Sequence, residues 1–110
     1  MTKVAQERSV FSMRLSQARE RAGFSQAELG RRAGFDPSGA SPRVNQYERG
    51  RHMPDLNTIK RLANVLRVPV PFLFAEDEQL AKLLLLWADL TAADQRRLIR
   101  ELEDQRNGTK

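Results

Sequence analysis

The residue types between positions 41 and 50 are those that form hydrogen bonds with the edges of nucleic-acid bases. The polar members of this stretch outside its apolar spacing are Arg43, Asn45, Gln46 and Arg49. An arginine can bond O6 and N7 of guanine in the major groove, and an asparagine or glutamine can bond N6 and N7 of adenine. Val44 and Tyr47 are three residues apart, so a helix that buries them would turn the polar residues outward. Taken alone, the pattern also fits an ordinary solvated helix surface.

The sequence offers little material for other kinds of chemistry. The 110 residues contain no cysteine and a single histidine, His52, which cannot form a metal cluster or a histidine-based catalytic pair by itself. No P-loop, glycine-rich dinucleotide cradle, activated nucleophile or paired-carboxylate arrangement is present. We therefore expect no metal, no cofactor and no enzymatic activity.

Charge divides the chain into two parts. Residues 1–75 hold 13 basic and 6 acidic residues, whereas residues 76–110 hold 6 basic and 8 acidic ones. A basic segment suggests a polyanionic partner, and the acidic remainder suggests a protein partner. The length fits one domain. The longest apolar run is far below the roughly 20 residues that span a bilayer, so we expect no membrane association.

Apolar spacing predicts helices throughout and no strand. The first helix runs from about Val10 to Ala22 and ends at Gly23. The second follows a predicted capping box at Ser25 and Glu28, and Gly34 ends it. The third begins with Ser41 as its N-cap and Pro42 in the first helical position.

Further helices follow at regular intervals. One starts at Pro54-Asp55 and is predicted to bury Leu56, Ile59, Leu62, Ala63 and Leu66. A short helix begins near Pro71, and two longer ones cover about 78–90 and 91–105. We expect residues 1–9 to form a flexible N-terminal segment and the last residues to fray.

Five segments in order resemble the Xre family of helix-turn-helix domains, which includes phage repressors and Cro. Phe24-Ser-Gln-Ala-Glu-Leu29 resembles the LSQxEL opening of the family's second helix, and Val44-Asn-Gln-Tyr-Glu-Arg-Gly50 resembles the ISxWExG end of its third. The segments from Leu15 to Gly23, from Pro54 to Ala63 and from Val68 to Phe74 resemble the first, fourth and closing elements. The resemblance implies an all-α, five-helix repressor-like domain over 10–75. The helices predicted after it add a C-terminal helical hairpin over 76–110.

The resemblance also implies roles for individual residues. Base contacts fall to Ser41, Arg43, Asn45 and Gln46. The family places a phosphate contact at Gln26, and the crowding of arginines after the third helix predicts further phosphate contacts at Arg49 and Arg51. Arg19 and Glu48 match an ion pair that would lock the reading helix onto the scaffold. One departure concerns the turn: Gly34 and Val44 are ten residues apart where the family has about six, so the angle between the two helices is not implied.

The C-terminal segment is too apolar for a helix with a single buried face. Leu83, Leu84, Leu85, Leu86 and Trp87 are consecutive and point all round the helix. The adjoining domain can cover one side, through Phe72 and Phe74. The last helix, through Leu98, Ile99 and Leu102, or a second copy of the chain can cover another. We expect a dimer interface that includes Leu83, Leu86, Trp87 and Leu90; an intrachain hairpin that only completes the core is the alternative.

Together these features predict a cytoplasmic transcriptional regulator that binds double-stranded DNA, as a homodimer, with the helix over 41–50 in the major groove. The alternative is a protein-interaction module, such as an antitoxin, whose C-terminal hairpin binds a partner protein. An RNA binder lacks support because aromatic residues are only 6% of the chain and no stacking motif is present.

Overall fold

A computed structural model describes residues 9–108, and all regular structure in that range is helical. The α-helices are α1 (Val10–Ala22), α2 (Gln26–Arg32), α3 (Ala40–Glu48), α4 (Leu56–Leu66), α5 (Glu78–Asp89) and α6 (Ala92–Arg106). Two 3-10 turns, Pro37–Gly39 and Val70–Phe74, precede α3 and α5. The all-α prediction is confirmed. The predicted flexible segment over 1–9 lies outside the described residues except for Ser9.

Most helix ends follow the local signals in the sequence. Gly23 ends α1 with a positive φ of 80°, a conformation that costs glycine little. The Ser25 hydroxyl accepts a hydrogen bond from the Glu28 N–H at 3.0 Å, as the capping box predicts. The second half of that box is absent: the Glu28 carboxylate contacts Arg31 and Arg32 instead.

The core lies among α1 to α4 and the second 3-10 turn. Its fully buried side chains include Leu15, Leu29, Val44, Leu62 and Leu73. The predicted inner face of α4 is correct except at Leu56, which is 57% exposed. Leu56 is the first residue of its helix, where the backbone has only begun to turn, so its spacing from Ile59 did not place it in the core.

The extra residues between α2 and α3 fold into structure of their own. Pro37–Gly39 forms a 3-10 turn, and α3 begins at Ala40 with Gly39 as its N-cap. The prediction that Ser41 caps this helix was therefore wrong, because the 3-10 turn leads the chain into α3 two residues earlier. Ala40 is buried against Gly30 of α2, where an added Cβ would lie 2.7 Å from the Ala40 Cβ. The insertion thus leaves α2 and α3 in close contact.

The two C-terminal helices are packed differently from the rest. α5 contributes one buried residue, Ala81, and its Leu84 and Leu85 are partly buried against the core. α6 has no buried residue in the described range. Ile99 and Leu102, which could have covered α5, are 43% and 51% exposed. No helix within residues 9–108 is long and apolar enough to cross a membrane.

Candidate nucleic-acid interface

Helix α3 is held against the domain by buried side chains and by a hydrogen bond from α1. Ala40, Val44, Tyr47 and Glu48 are buried. The Ser12 hydroxyl of α1 donates a buried hydrogen bond to the Tyr47 carbonyl at 2.7 Å. Because α1 and α2 fix α3 from behind, the opposite side of α3 is the surface available to a ligand.

The outward side of α3 carries a stripe at positions 42, 46 and 49, a spacing of four and three residues that follows one helix face. Pro42 and Arg49 are exposed, and Gln46 between them is half-buried. Asn45 lies on one flank of the stripe. Sequence reasoning singled out Gln46 and Arg49 but missed Pro42, although the same spacing could have identified it.

Arg19 and Glu48 lie together at the back of α3. Arg19 donates from Nε to Glu48 Oε2 at 2.6 Å and from Nη2 to Oε1 at 3.1 Å, and Nη1 donates to the Phe24 carbonyl at 2.8 Å. Both side chains are mostly removed from solvent. The hydrogen bond with Glu48 raises the pKa of the Arg19 guanidinium. This arrangement ties α1, the start of α2 and the end of α3 to one another.

Gln26 joins the same cluster. Its Nε2 donates to Glu48 Oε1 at 3.1 Å and to Asn45 Oδ1 at 3.2 Å. Both of its amide hydrogens are therefore used within the protein. A phosphate contact of the Gln26 side chain would require one of these two hydrogen bonds to break, because its Oε1 can only accept and a phosphate oxygen also accepts.

Arg43 is exposed on the flank of the stripe opposite Asn45, and its guanidinium packs on the protein. Its guanidinium carbon lies 4.0 Å from the centre of the Phe35 ring, and its Nε donates to the Tyr47 hydroxyl at 2.9 Å. Such stacking over an aromatic face is an attractive cation–π contact. Arg43 therefore joins Phe35, in the segment after α2, to α3, a role that the sequence did not indicate.

The remaining predicted residues occupy the edges of the surface. Ser41 is half-buried in the first turn of α3, and Arg51 is exposed just after the helix. Arg49, the last member of the stripe, and Arg51 after it place two positive charges at this end of α3. His52 and Met53 line a groove of about 410 Å³ beside Gln46. The described residues hold no group of three side chains suited to a metal ion.

Arg14 is a buried residue whose role sequence reasoning missed. Its Nε donates to the Ala75 carbonyl at 2.8 Å, and its guanidinium lies 5.5 Å from the Phe72 ring centre. Its position three residues after Phe11 places it on the core side of α1, which was the available signal. Arg14 fixes the chain where the domain ends and α5 begins.

The C-terminal candidates remain largely open to solvent. Leu83 is 45% exposed and Leu86 is 57% exposed. Trp87 and Leu90 are half-buried. The Trp87 carbonyl accepts a hydrogen bond from Gln95 Nε2 at 2.9 Å, which fastens the corner between α5 and α6.

Comparisons with known proteins agree with this architecture. Residues 10–71 match the model of a family described as a helix-turn-helix domain. Among solved structures, the crystal structure of the transcriptional regulator BswR is similar, with 44% sequence identity and a TM-score of 0.80. The match covers 84% of this chain and 92% of that one. The search of curated proteins gave no match.

The family match covers more than half of the chain and coincides with the domain built from α1 to the second 3-10 turn. The narrower resemblance to the Xre family stays a prediction, since neither comparison separates that family from other helix-turn-helix domains. On the match over residues 10–71, the chain belongs to the helix-turn-helix domain family.

Proposed function

We propose that this protein is a cytoplasmic transcriptional regulator that binds double-stranded DNA with α3 in the major groove. The observation that carries the proposal is the stripe at positions 42, 46 and 49, which faces solvent on a helix fixed from behind by α1 and α2. Helix-turn-helix proteins place the second helix of the motif, which corresponds to α3 here, in the major groove. The net charge of +7 over residues 1–75 supports a polyanionic ligand.

The proposed contacts separate into two kinds. Gln46 leads the base-reading set, which also contains Ser41, Arg43 and Asn45. Arg43 joins this set only if its guanidinium leaves the Phe35 ring. Arg49, Arg51 and Gln26 form the proposed phosphate-binding set, which positions the helix without reading sequence.

Two substitutions on α3 test this division. Gln46→Ala should cost roughly 1–3 kcal/mol on the preferred duplex and relax selection at one base pair, because its hydrogen bonds to that pair are lost. Arg49→Ala should weaken binding to all sequences alike. Selection from a random DNA pool, followed by titration of the preferred duplex, measures both effects. An unchanged preferred sequence in Gln46→Ala would show that α3 does not read the groove as proposed.

We propose further that two chains associate through α5 and α6. Large apolar side chains left in water forgo about 1.5–3 kcal/mol each, and Leu83 and Leu86 are about half exposed. A two-fold contact that buries them with Trp87 and Leu90 would place two copies of α3 on one face of DNA. Such readers sit roughly 34 Å apart, one turn of the duplex.

Sedimentation measures this association directly. The intact protein should be a dimer at tens of micromolar, and Leu86→Glu should convert it to a monomer because the new charge would be buried. Gln79→Glu is the matched control, since it adds the same charge at an exposed position in the first turn of α5. A monomer of the unaltered protein at that concentration would contradict the dimer.

The exposed apolar surface favours one other function. A partner protein could cover the same leucines, as in an antitoxin whose C-terminal helices hold its target. A monomer that still binds DNA sequence-specifically would favour this second candidate over the homodimer.

A further inference from the structure

The direction of the hydrogen bonds behind α3 is set by two groups, one of which can only donate and the other only accept. The Arg19 guanidinium can only donate, and a carboxylate bound by it can only accept. Arg19 donates to both oxygens of Glu48. Any further polar group beside Glu48 Oε1 must therefore offer a donor.

Gln26 is that group, and its amide orientation follows. Only its NH₂ can bond Glu48 Oε1, which lies 3.1 Å from Nε2. The second hydrogen of the same NH₂ points to the Asn45 side chain at 3.2 Å. Asn45 must face a donor there, so it presents Oδ1 to Gln26. The usual ambiguity between the oxygen and nitrogen of an amide is thereby removed at both residues.

The amide of Asn45 is left with its nitrogen pointing away from Gln26. Within residues 9–108, the side-chain hydrogen bonds of Asn45 end at Oδ1. Asn45 is half-buried and borders an open groove that Ser16, Glu48 and Arg49 also line. The Glu48 carboxylate there already accepts hydrogen bonds from Arg19 and Gln26, and Arg49 can only donate. This corner of α3 therefore offers hydrogen-bond donors to a ligand.

That polarity changes the ligand expected at Asn45. Recognition of adenine by asparagine needs the oxygen and the nitrogen to face the base together. Here the oxygen is turned back into the protein. We propose that Asn45 offers Nδ2 as a donor to an acceptor on DNA: O6 or N7 of guanine or O4 of thymine, where it would set specificity, or a phosphate oxygen, where it would position α3. The identity of the ligand rests on the proposed function, whereas the polarity of the amide does not.

The polarity is measurable in the free protein. In ¹⁵N NMR, the side-chain NH₂ of Gln26 should exchange slowly with solvent, and that of Asn45 should exchange quickly. Gln26→Met removes the donor with little change of volume and should shift the Asn45 NH₂ signals, because the amide becomes free to turn. A slowly exchanging Asn45 NH₂ beside a rapidly exchanging Gln26 NH₂ would overturn the proposal, whether or not the protein binds DNA.

The consequence for binding is tested with DNA selected by the unaltered protein. Asn45→Asp has the same shape but replaces the donor by an acceptor, so affinity should fall roughly tenfold or more. Asn64→Asp, on the exposed side of α4, adds the same charge outside the candidate interface and is the control. Equal losses in the two variants would overturn the proposal. Absence of any DNA binding by the unaltered protein would instead overturn the proposed function.

Modified duplexes identify the acceptor. Replacing guanine by 7-deazaguanine removes N7, and methylphosphonate linkages remove a charged phosphate oxygen. Asn45→Ser should lose the sensitivity of the unaltered protein to one of these changes, or to replacement of one thymine by cytosine. Gln26→Met should gain tolerance of adenine if the acceptor is a base. An Asn45→Ser variant with the full sensitivity of the unaltered protein at every position would contradict a contact at Asn45.

Discussion

The helix-turn-helix domain and the two C-terminal helices differ in how far they bury their apolar side chains. In residues 10–75 most large apolar groups pack on one another, and Leu15, Leu29, Val44 and Leu62 are fully buried. In α5 and α6 the only buried residue is Ala81, while Leu86 and Leu102 are more than half exposed. The domain closes its own core, whereas the C-terminal helices leave large apolar side chains exposed.

Charge follows the same division. The domain has a net charge of +7, and residues 76–110 have a net charge of −2. A basic closed domain suits a rigid polyanion such as duplex DNA. A nearly neutral apolar surface suits a protein, including a second copy of the chain. The difference in charge fits the proposal that the domain binds DNA and that the C-terminal helices associate.

The same substitution in the two regions should have the most unequal effects. Leu62→Ala empties a fully buried position and should lower the free energy of unfolding by about 2–5 kcal/mol. Leu86→Ala should change the free energy of unfolding of the monomer by less than about 0.5 kcal/mol and should instead weaken self-association. Urea denaturation at low protein concentration and sedimentation give the two readings. A large loss of stability in the Leu86→Ala monomer would erase the distinction between the regions.

Adding one methyl group where α2 contacts α3 should destabilise the helix-turn-helix domain. Gly30→Ala places a Cβ 2.7 Å from the Ala40 Cβ and 3.0 Å from the Ala40 carbonyl oxygen, so α2 and α3 must move apart. We expect a cost of about 1–3 kcal/mol in stability, together with weaker DNA binding. Gly39→Ala is the control because an added Cβ meets nothing within 4 Å. Equal stability of the two variants would mean that α2 and α3 are not held as closely as described.

Acid should weaken the domain slightly through the N-cap of α4. The Asp55 carboxylate accepts a hydrogen bond from the Thr58 N–H, which lowers the pKa of Asp55 below its ordinary value of 3.8. Its stabilisation is present above pH 3.8 and is lost as the pH falls through the lowered pKa. Asp55→Asn keeps an acceptor but does not titrate, so its Tm should depend less on pH in that range. Glu101→Gln in α6 is the control; identical pH profiles for all three proteins would contradict this role.

Much of the domain could be predicted because its signals are local. Gly23 and Ser25 mark helix ends through backbone conformation and a hydroxyl acceptor, and both act as predicted. The segment between Gly34 and Ala40 was beyond such reasoning. The Asp36 carboxylate caps its 3-10 turn by accepting a hydrogen bond from the Ser38 N–H. The close approach of the following Ala40 to Gly30, ten residues earlier in the chain, is not revealed by apolar spacing.

Site residues were predicted by type but not by orientation. Arg43 has the chemistry of a base reader, yet its guanidinium stacks over the Phe35 ring and donates to the Tyr47 hydroxyl. Gln26 has the chemistry of a phosphate contact, yet Glu48 and Asn45 take both of its amide hydrogens. Such choices depend on which partners the fold brings within 3 Å, and a sequence does not state them.

The claim that duplex DNA is the ligand is tested most directly by titration of fluorescent DNA with the intact protein over a range of salt concentrations. Arginine and lysine release counterions when they contact phosphates, so the logarithm of the affinity should fall steeply with the logarithm of the salt concentration. The slope should become less steep by about one for Arg49→Ala if that residue contacts a single phosphate. A nearly flat plot for the unaltered protein would contradict DNA as the ligand.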